Sequence, residues 1–262
     1  METKSLGAAL KSLLIFLFLC VAYVDKASAR FKLGGDNSDK EIPAKYSTPV
    51  DVLCDKDLEN FASTEVGGFP KGWRSKVEGN AEEAARDKLY IIEKDSEKGH
   101  VLKGTYGTHT ITLLKTLEPW DLAEYPYLEW EWKAEILPTG ADERELGKND
   151  SAASVYVVWN VGFPMQAKAL RFAWSSTVKE GTFYQRRLKH DNITILESGT
   201  ENLHKWVKER VNVRELFNKH ILLPEDNRKP YALALTTDAD ATNSKAQAYY
   251  ANFKLCREVP RK

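Results

Sequence analysis

Residues 125–145 read YPYLEWEWKAEILPTGADERE, and the alternation within them sets the fold. Leu128, Trp130, Trp132, Ala134 and Ile136 take the even positions; Tyr127, Glu129, Glu131, Lys133 and Glu135 take the odd ones. Successive side chains of a strand point to opposite faces. This is therefore a half-buried strand with both indoles inward and a charged face outward. The tryptophans are read as core; a ligand platform would need them open to water.

Moving outward, similar runs recur at 88–93, 101–106, 110–114, 154–160, 169–175, 192–197, 206–213, 231–236 and 247–255. They are rich in β-branched and aromatic residues, and Gly/Pro breakers at 67–70, 137–140 and 162–164 separate them. The one helix predicted is short, over 213–220 (VRELFNKH). About ten short strands with so little helix predict an all-β fold, an antiparallel β-sandwich or barrel.

The chain has 262 residues, 42% hydrophobic and 29% charged, with a formal net charge of zero. That balance gives no electrostatic reason to expect nucleic acid or an anionic membrane as partner. Lys4 and Lys11 precede an apolar run at 13–22, and Ala27, Ser28 and Ala29 supply a small-x-small cleavage pattern, so residues 1–29 read as a signal peptide. The run is too short to cross a bilayer comfortably. Export to a secreted or periplasmic location follows, with no membrane attachment after cleavage. Residues 30–50 are a polar leader, and 51–262 form a single domain. Removal of the signal leaves Cys54 and Cys256. In an oxidising compartment they invite one disulfide joining the first and last strands; the alternative is two buried thiols. Asn149 and Asn192 stand in Asn-x-Ser/Thr sequences.

The residues also carry a resemblance. Tyr-Pro-Tyr-Leu-x-Trp-x-Trp (125–132), Leu-Pro-x-Gly-Ala-Asp-Glu-Arg (137–144) and Asp150 before Val-Tyr-Val-Val (155–158) come first. Ala-Leu-Arg-Phe-Ala-Trp (169–174), Glu-Ser-Gly (197–199), Trp-Val-x-Glu-Arg-x-Asn-Val (206–213), Thr-Asp-Ala-Asp (237–240) and Ala-Tyr-Tyr (248–250) follow in order. The chain resembles the mostly bacterial, exported family known as domain of unknown function 3047. The resemblance implies a jelly-roll, galactose-binding-like sandwich, a kind of fold that often binds carbohydrate, and it brings no reaction with it. Family members tend to show Asp-Thr-Asp-Asn-Thr-Gly where this chain has 238–243, and Tyr-Tyr-Gly-Asp where it has Tyr249, Tyr250, Ala251 and Asn252. A carboxylate on the last strand can hold a structural calcium in such sandwiches, and here that place is Asn252.

Three groups of residues are candidates for chemistry. Asp142, Glu143 and Arg144 follow a Pro-x-Gly turn: either a solvated loop with Arg144 paired to a neighbouring acid, or a rim offering bidentate hydrogen bonds to a uronate or to sugar hydroxyls. Tyr156 and Arg171 share a polar-aromatic face if their strands pair, with Asp150 nearby; the alternative is a satisfied pair at the core edge. Asp238, Asp240 and Asn243 cluster oxygen ligands suited to Ca²⁺, the one cofactor considered, although Asp and Asn are also ordinary turn formers. The histidines fall singly, and no zinc, nucleotide or serine-hydrolase motif is present. The leading expectation is a non-catalytic domain binding carbohydrate or cell-wall glycan. A polysaccharide lyase or hydrolase using acids such as Glu129, Glu131 and Asp150 is the alternative. A third is an envelope structural or protein-interaction domain.

Overall fold

The computed structural model describes residues 51–75, 77–162, 166–186, 191–223 and 229–259. The signal-peptide and leader assignments lie outside the described residues. No helix among those residues is long and apolar enough to cross a membrane. The strands are β1 (Asp51–Glu59), β2 (Arg74–Ser75), β3 (Tyr90–Asp95), β4 (Gly99–Thr105), β5 (Leu113–Thr116), β6 (Tyr127–Ile136) and β7 (Ala153–Gly162). They continue as β8 (Gln166–Ser175), β9 (Phe183–Arg186), β10 (Asp191–Ser198), β11 (Val207–Asn212), β12 (Ala232–Thr236) and β13 (Gln247–Val259).

Two sheets form. One has the order β11-β6-β13-β4-β3, with β1 also on β13; the other runs β2-β5-β12-β7-β8-β10-β9. The chain crosses between them repeatedly, at β4 to β5, β5 to β6, β6 to β7 and each step from β10 to β13, which makes the sandwich jelly-roll-like. Antiparallel pairing holds except at one place: β10 runs parallel to β8, because β9 swings to the sheet edge and β10 slots in between. The single expected helix is also amended. α1 (Asn80–Arg86) is an unforeseen helix. α2 (Val213–Leu216), capped by Asn212 Oδ1 accepting from Glu215 N at 2.9 Å, passes into a π-helical turn, Phe217–Ile221.

The core lies between the sheets, and the alternation in β6 places Leu128, Trp130, Trp132 and Ala134 there as expected, while Ile136, at the strand end, is exposed. Trp130 and Trp132 are fully buried. They meet edge to face at 5.4 Å, and Trp130 reaches Phe172 of the opposite sheet at 5.5 Å, as Trp132 does Trp174 at 5.9 Å. Truncating either indole to alanine is worth about 3–5 kcal/mol. Cys54 and Cys256 form a disulfide between β1 and β13. The bridge closes a loop with a sequence separation of 202.

Candidate functional site

On β7, β8 and β12 one set of alternate residues faces the core: Val155, Val157 and Trp159, Leu170, Phe172 and Trp174, Leu233 and Leu235. The other set therefore makes the outer face of the seven-stranded sheet. Register links it into rows across strands. One row runs Arg74, Leu114, Ala234, Tyr156, Arg171, Ile193, Tyr184. The row beside it runs Thr116, Ala232, Val158, Ala169, Asp191, Arg186. Seven strands at about 4.8 Å spacing make the longer row roughly 29 Å long. Its neighbour has three small apolar side chains, Ala232, Val158 and Ala169, between Thr116 and Asp191, and ends at Arg186; Arg74 of the longer row donates to Thr116 Oγ1 at 3.3 Å and to Tyr231 Oη at 3.0 Å. Ala232 and the middle of the longer row are buried, whereas Val158, Ala169, Asp191, Tyr184 and Arg186 are half-buried.

Arg171 is the centre of the face and is only 4% exposed. Its Nε donates to Ser154 Oγ at 3.1 Å and its Nη2 to Ser151 Oγ at 2.9 Å, while its guanidinium lies 5.5 Å from the Tyr156 ring. Ser151 Oγ in turn donates to Glu143 Oε1 at 2.7 Å, and Ser175 Oγ donates to Glu143 Oε2 at 2.5 Å. Glu143 is fully buried. The result is a chain of guanidinium, hydroxyl and carboxylate in which each buried charge has oriented partners. Burial works against the Arg171 charge, yet the oxygens of Tyr156, Tyr184, Asp191 and Glu143 hold its pKa above the ordinary arginine value.

The loop read as an all-surface turn is thus divided. Asp142 accepts two side-chain bonds from Arg144, at 2.9 and 2.7 Å, on the exposed side. That is the paired, solvated arrangement, and the Arg144 bonds hold the Asp142 carboxyl below its usual range. Glu143 between them turns inward. Side-chain bonds from Ser176 to Pro138 O and from Thr177 to Ala141 O tie this loop to the turn after β8. Val178 of that turn packs on Ala173, Ile193 and Ile195, so one margin of the outer face is covered.

Asp150 lies buried at the same end. Its oxygens accept from Ala241 N at 3.1 Å, Thr242 N at 2.7 Å and Thr242 Oγ1 at 2.5 Å. Asp238 accepts from Thr110 Oγ1 and from Asp240 N. Burial, with Asp240 and Asp150 beside it, pushes the Asp238 carboxyl up to about 7. One ligand atom from each of Asp150, Asp238 and Asp240 falls within 4.8 Å of the others. Asn243, grouped with them on sequence, closes the turn with its N–H on Asp240 O and φ of 48°. Asn252 lies elsewhere, donating to Glu131 Oε2 at 2.7 Å.

Tyr156, Arg171 and Glu143 therefore come together, Asp150 joins Asp238 and Asp240 instead, and Asp142 and Arg144 stay outside. Glu129 and Glu131, placed on the outward charged face and named as possible catalytic acids, are nearly buried and engaged by Arg210 and Lys98. Asn192 is 1% exposed and donates to Ala169 O, which leaves it closed to glycosylation in the folded chain. Sequence reasoning missed Tyr184 and Arg186. Both are half-buried, and the Oη of Tyr184 and the Nε and Nη1 of Arg186 have no hydrogen-bond partner among the described residues. The alternation of 183–186 (FYQR) was the available signal, but β9 is too short for it to stand out.

The family model described as "Protein of unknown function (DUF3047)" matches residues 72–254. The chain belongs to this family. No curated protein matches it. Among solved structures, it is similar to the family 11 carbohydrate-binding module from Clostridium thermocellum in complex with a β-1,3-1,4-mixed-linked tetrasaccharide: 9% identity, 76% of this chain and 94% of that one, TM-score 0.37. It is also similar to the non-crystalline-cellulose-specific module CBM28, at 12% identity, 76% and 96% coverage and TM-score 0.37. A third similarity is to the endoglucanase Cel12A from Rhodothermus marinus, at 13% identity, 80% and 100% coverage and TM-score 0.39.

Proposed function

We propose that this DUF3047 protein is an exported, non-catalytic saccharide-binding domain, and that the outer face of its seven-stranded sheet is the binding surface. One observation carries the reading: a row of Tyr156, Arg171 and Tyr184 runs beside a floor of Ala232, Val158 and Ala169, with orphaned donors on Tyr184 and Arg186 at its flank. Sugars present both apolar C–H faces and hydroxyls, and such a surface answers each with its own kind of group. The length of the row suits an oligosaccharide lying across the strands. Affinity electrophoresis against a polysaccharide panel tests this: at least one polymer retards the protein, and Val158→Trp, which fills the floor, abolishes the retardation. No retardation by any polymer rejects the proposal.

The acidic group favours a second reading. A carboxyl whose pKa is raised to about 7, close to a second acidic side chain, suits a glycosidase acid and its partner, so Asp238 would donate the proton and Asp240 would serve as the second carboxylate. The same carboxylates suit Ca²⁺, which would keep Asp238 ionised. Reducing-sugar release that vanishes in Asp238→Asn assigns the group to hydrolysis. A rise in Tm with millimolar Ca²⁺, without sugar release, assigns it to the cation.

A further inference from the structure

We infer that the β9 flank of this face selects anionic saccharides, with Arg186 receiving the sugar's carboxylate or sulfate and Tyr184 bonding a neighbouring oxygen. The inference rests on the saccharide-binding reading and names the ligand class.

The two arginines of the flank differ in how they are satisfied. Arg171 spends its donors on Ser154 and Ser151 and has Glu143 behind the serine as counter-charge. Arg186 is placed beside it by register, through Asp191 and Ala169. Its Nε and Nη1 are buried without a hydrogen bond, and no ion pair joins it to Asp191 or to any other described carboxylate. Burial, and then the positive charge of Arg171, lower its pKa below the ordinary arginine value, and the attraction of Tyr184, Asp191 and Tyr156 offsets this only in part. A guanidinium does not lose its proton near neutral pH, so this site holds a cation against its surroundings. Burying unpaired charge is costly, and an arriving anion removes that cost, whereas a neutral hydroxyl supplies an acceptor without the charge. The planar fork of Arg186 matches a carboxylate or sulfate edge. Tyr184 Oη, also orphaned, lies two residues away on the same face.

Retention of the mature protein is compared on polygalacturonate, its methyl ester, dextran sulfate and a neutral β-glucan. The expected result is retention by polygalacturonate or dextran sulfate, which tells carboxylate from sulfate, and not by the ester or glucan, weakening as salt rises. Arg186→Gln weakens it at least about tenfold. Lys208→Gln, the same charge change on the opposite sheet, leaves it unaltered. Should Arg186→Gln not fold, Tyr184→Phe and Arg186→Lys carry the test, each giving a partial loss. Equal retention by the acid and its ester, or by wild type and the Arg186 variants, overturns the inference and leaves the saccharide face standing. Retention by no polymer overturns both.

Discussion

The outer faces of the two sheets treat charge in opposite ways. On the six-stranded sheet almost every charge is answered from within. Glu129 takes Arg210 at 2.5 Å, Glu131 takes Lys98 at 2.6 Å, and Glu93 takes Lys103 at 2.9 Å. Lys133 pairs with Glu135 at 3.1 Å and lies 4.5 Å from the centre of the Tyr249 ring and 5.3 Å from that of Trp206. The aromatic pair that looks most like a sugar platform is thus already occupied by the protein's own lysine. On the seven-stranded sheet Arg171 is buried and engaged by two serines, while Arg186 and Tyr184, half-buried, have atoms left without a hydrogen bond. A face that satisfies itself is a wall; a face with orphaned donors has something left to offer.

Several measurements would break or sharpen that contrast. The largest effect is global. Replacing Cys54 and Cys256 together with alanine removes a cross-link closing about 200 residues, and urea unfolding is expected to show a loss of about 5 kcal/mol. A six-stranded sheet rigid enough without the bridge would show much less. Next, Arg171→Gln leaves Glu143 buried without its counter-charge, for an expected loss of about 3–5 kcal/mol. Arg210→Ala, its counterpart on the other face, should cost less, about 1–2 kcal/mol, because Lys208, 3.6 Å from Glu129, still faces the carboxylate it leaves behind. Equal losses from the two would end the distinction between the faces.

The pH dependence follows from Asp238. Its carboxyl titrates at about 7 when folded and near the ordinary aspartate value when unfolded. Between about pH 4 and 7 the folded chain therefore holds a proton that the unfolded chain releases. Stability falls as pH rises through that window, by up to about 4 kcal/mol, and Asp238→Asn flattens the curve. The smallest effect is the most telling. Tyr184→Phe deletes a buried hydroxyl that has no partner, so Tm should hold or rise slightly while saccharide retention weakens. A clear drop in Tm would mean that the hydroxyl serves the fold.

The sequence by itself determined what depends on local periodicity. Alternation in 127–136 put Trp130 and Trp132 inward, and the pattern of short strands between breakers announced a sandwich. Cys54 and Cys256, one near each end of the sandwich, foretold the bridge. Tertiary structure decided what depends on register between distant strands. That Tyr156 stands opposite Arg171, that β10 runs parallel to β8 and pairs with β9 so that Tyr184 and Arg186 share that face, and that Glu143 turns under the sheet while Asp142 and Arg144 pair outside are all non-local facts. A strand's period of two says only that its faces differ. Which face meets the core, and which side chains become neighbours across it, is chosen by pairing and packing that no short window of residues contains.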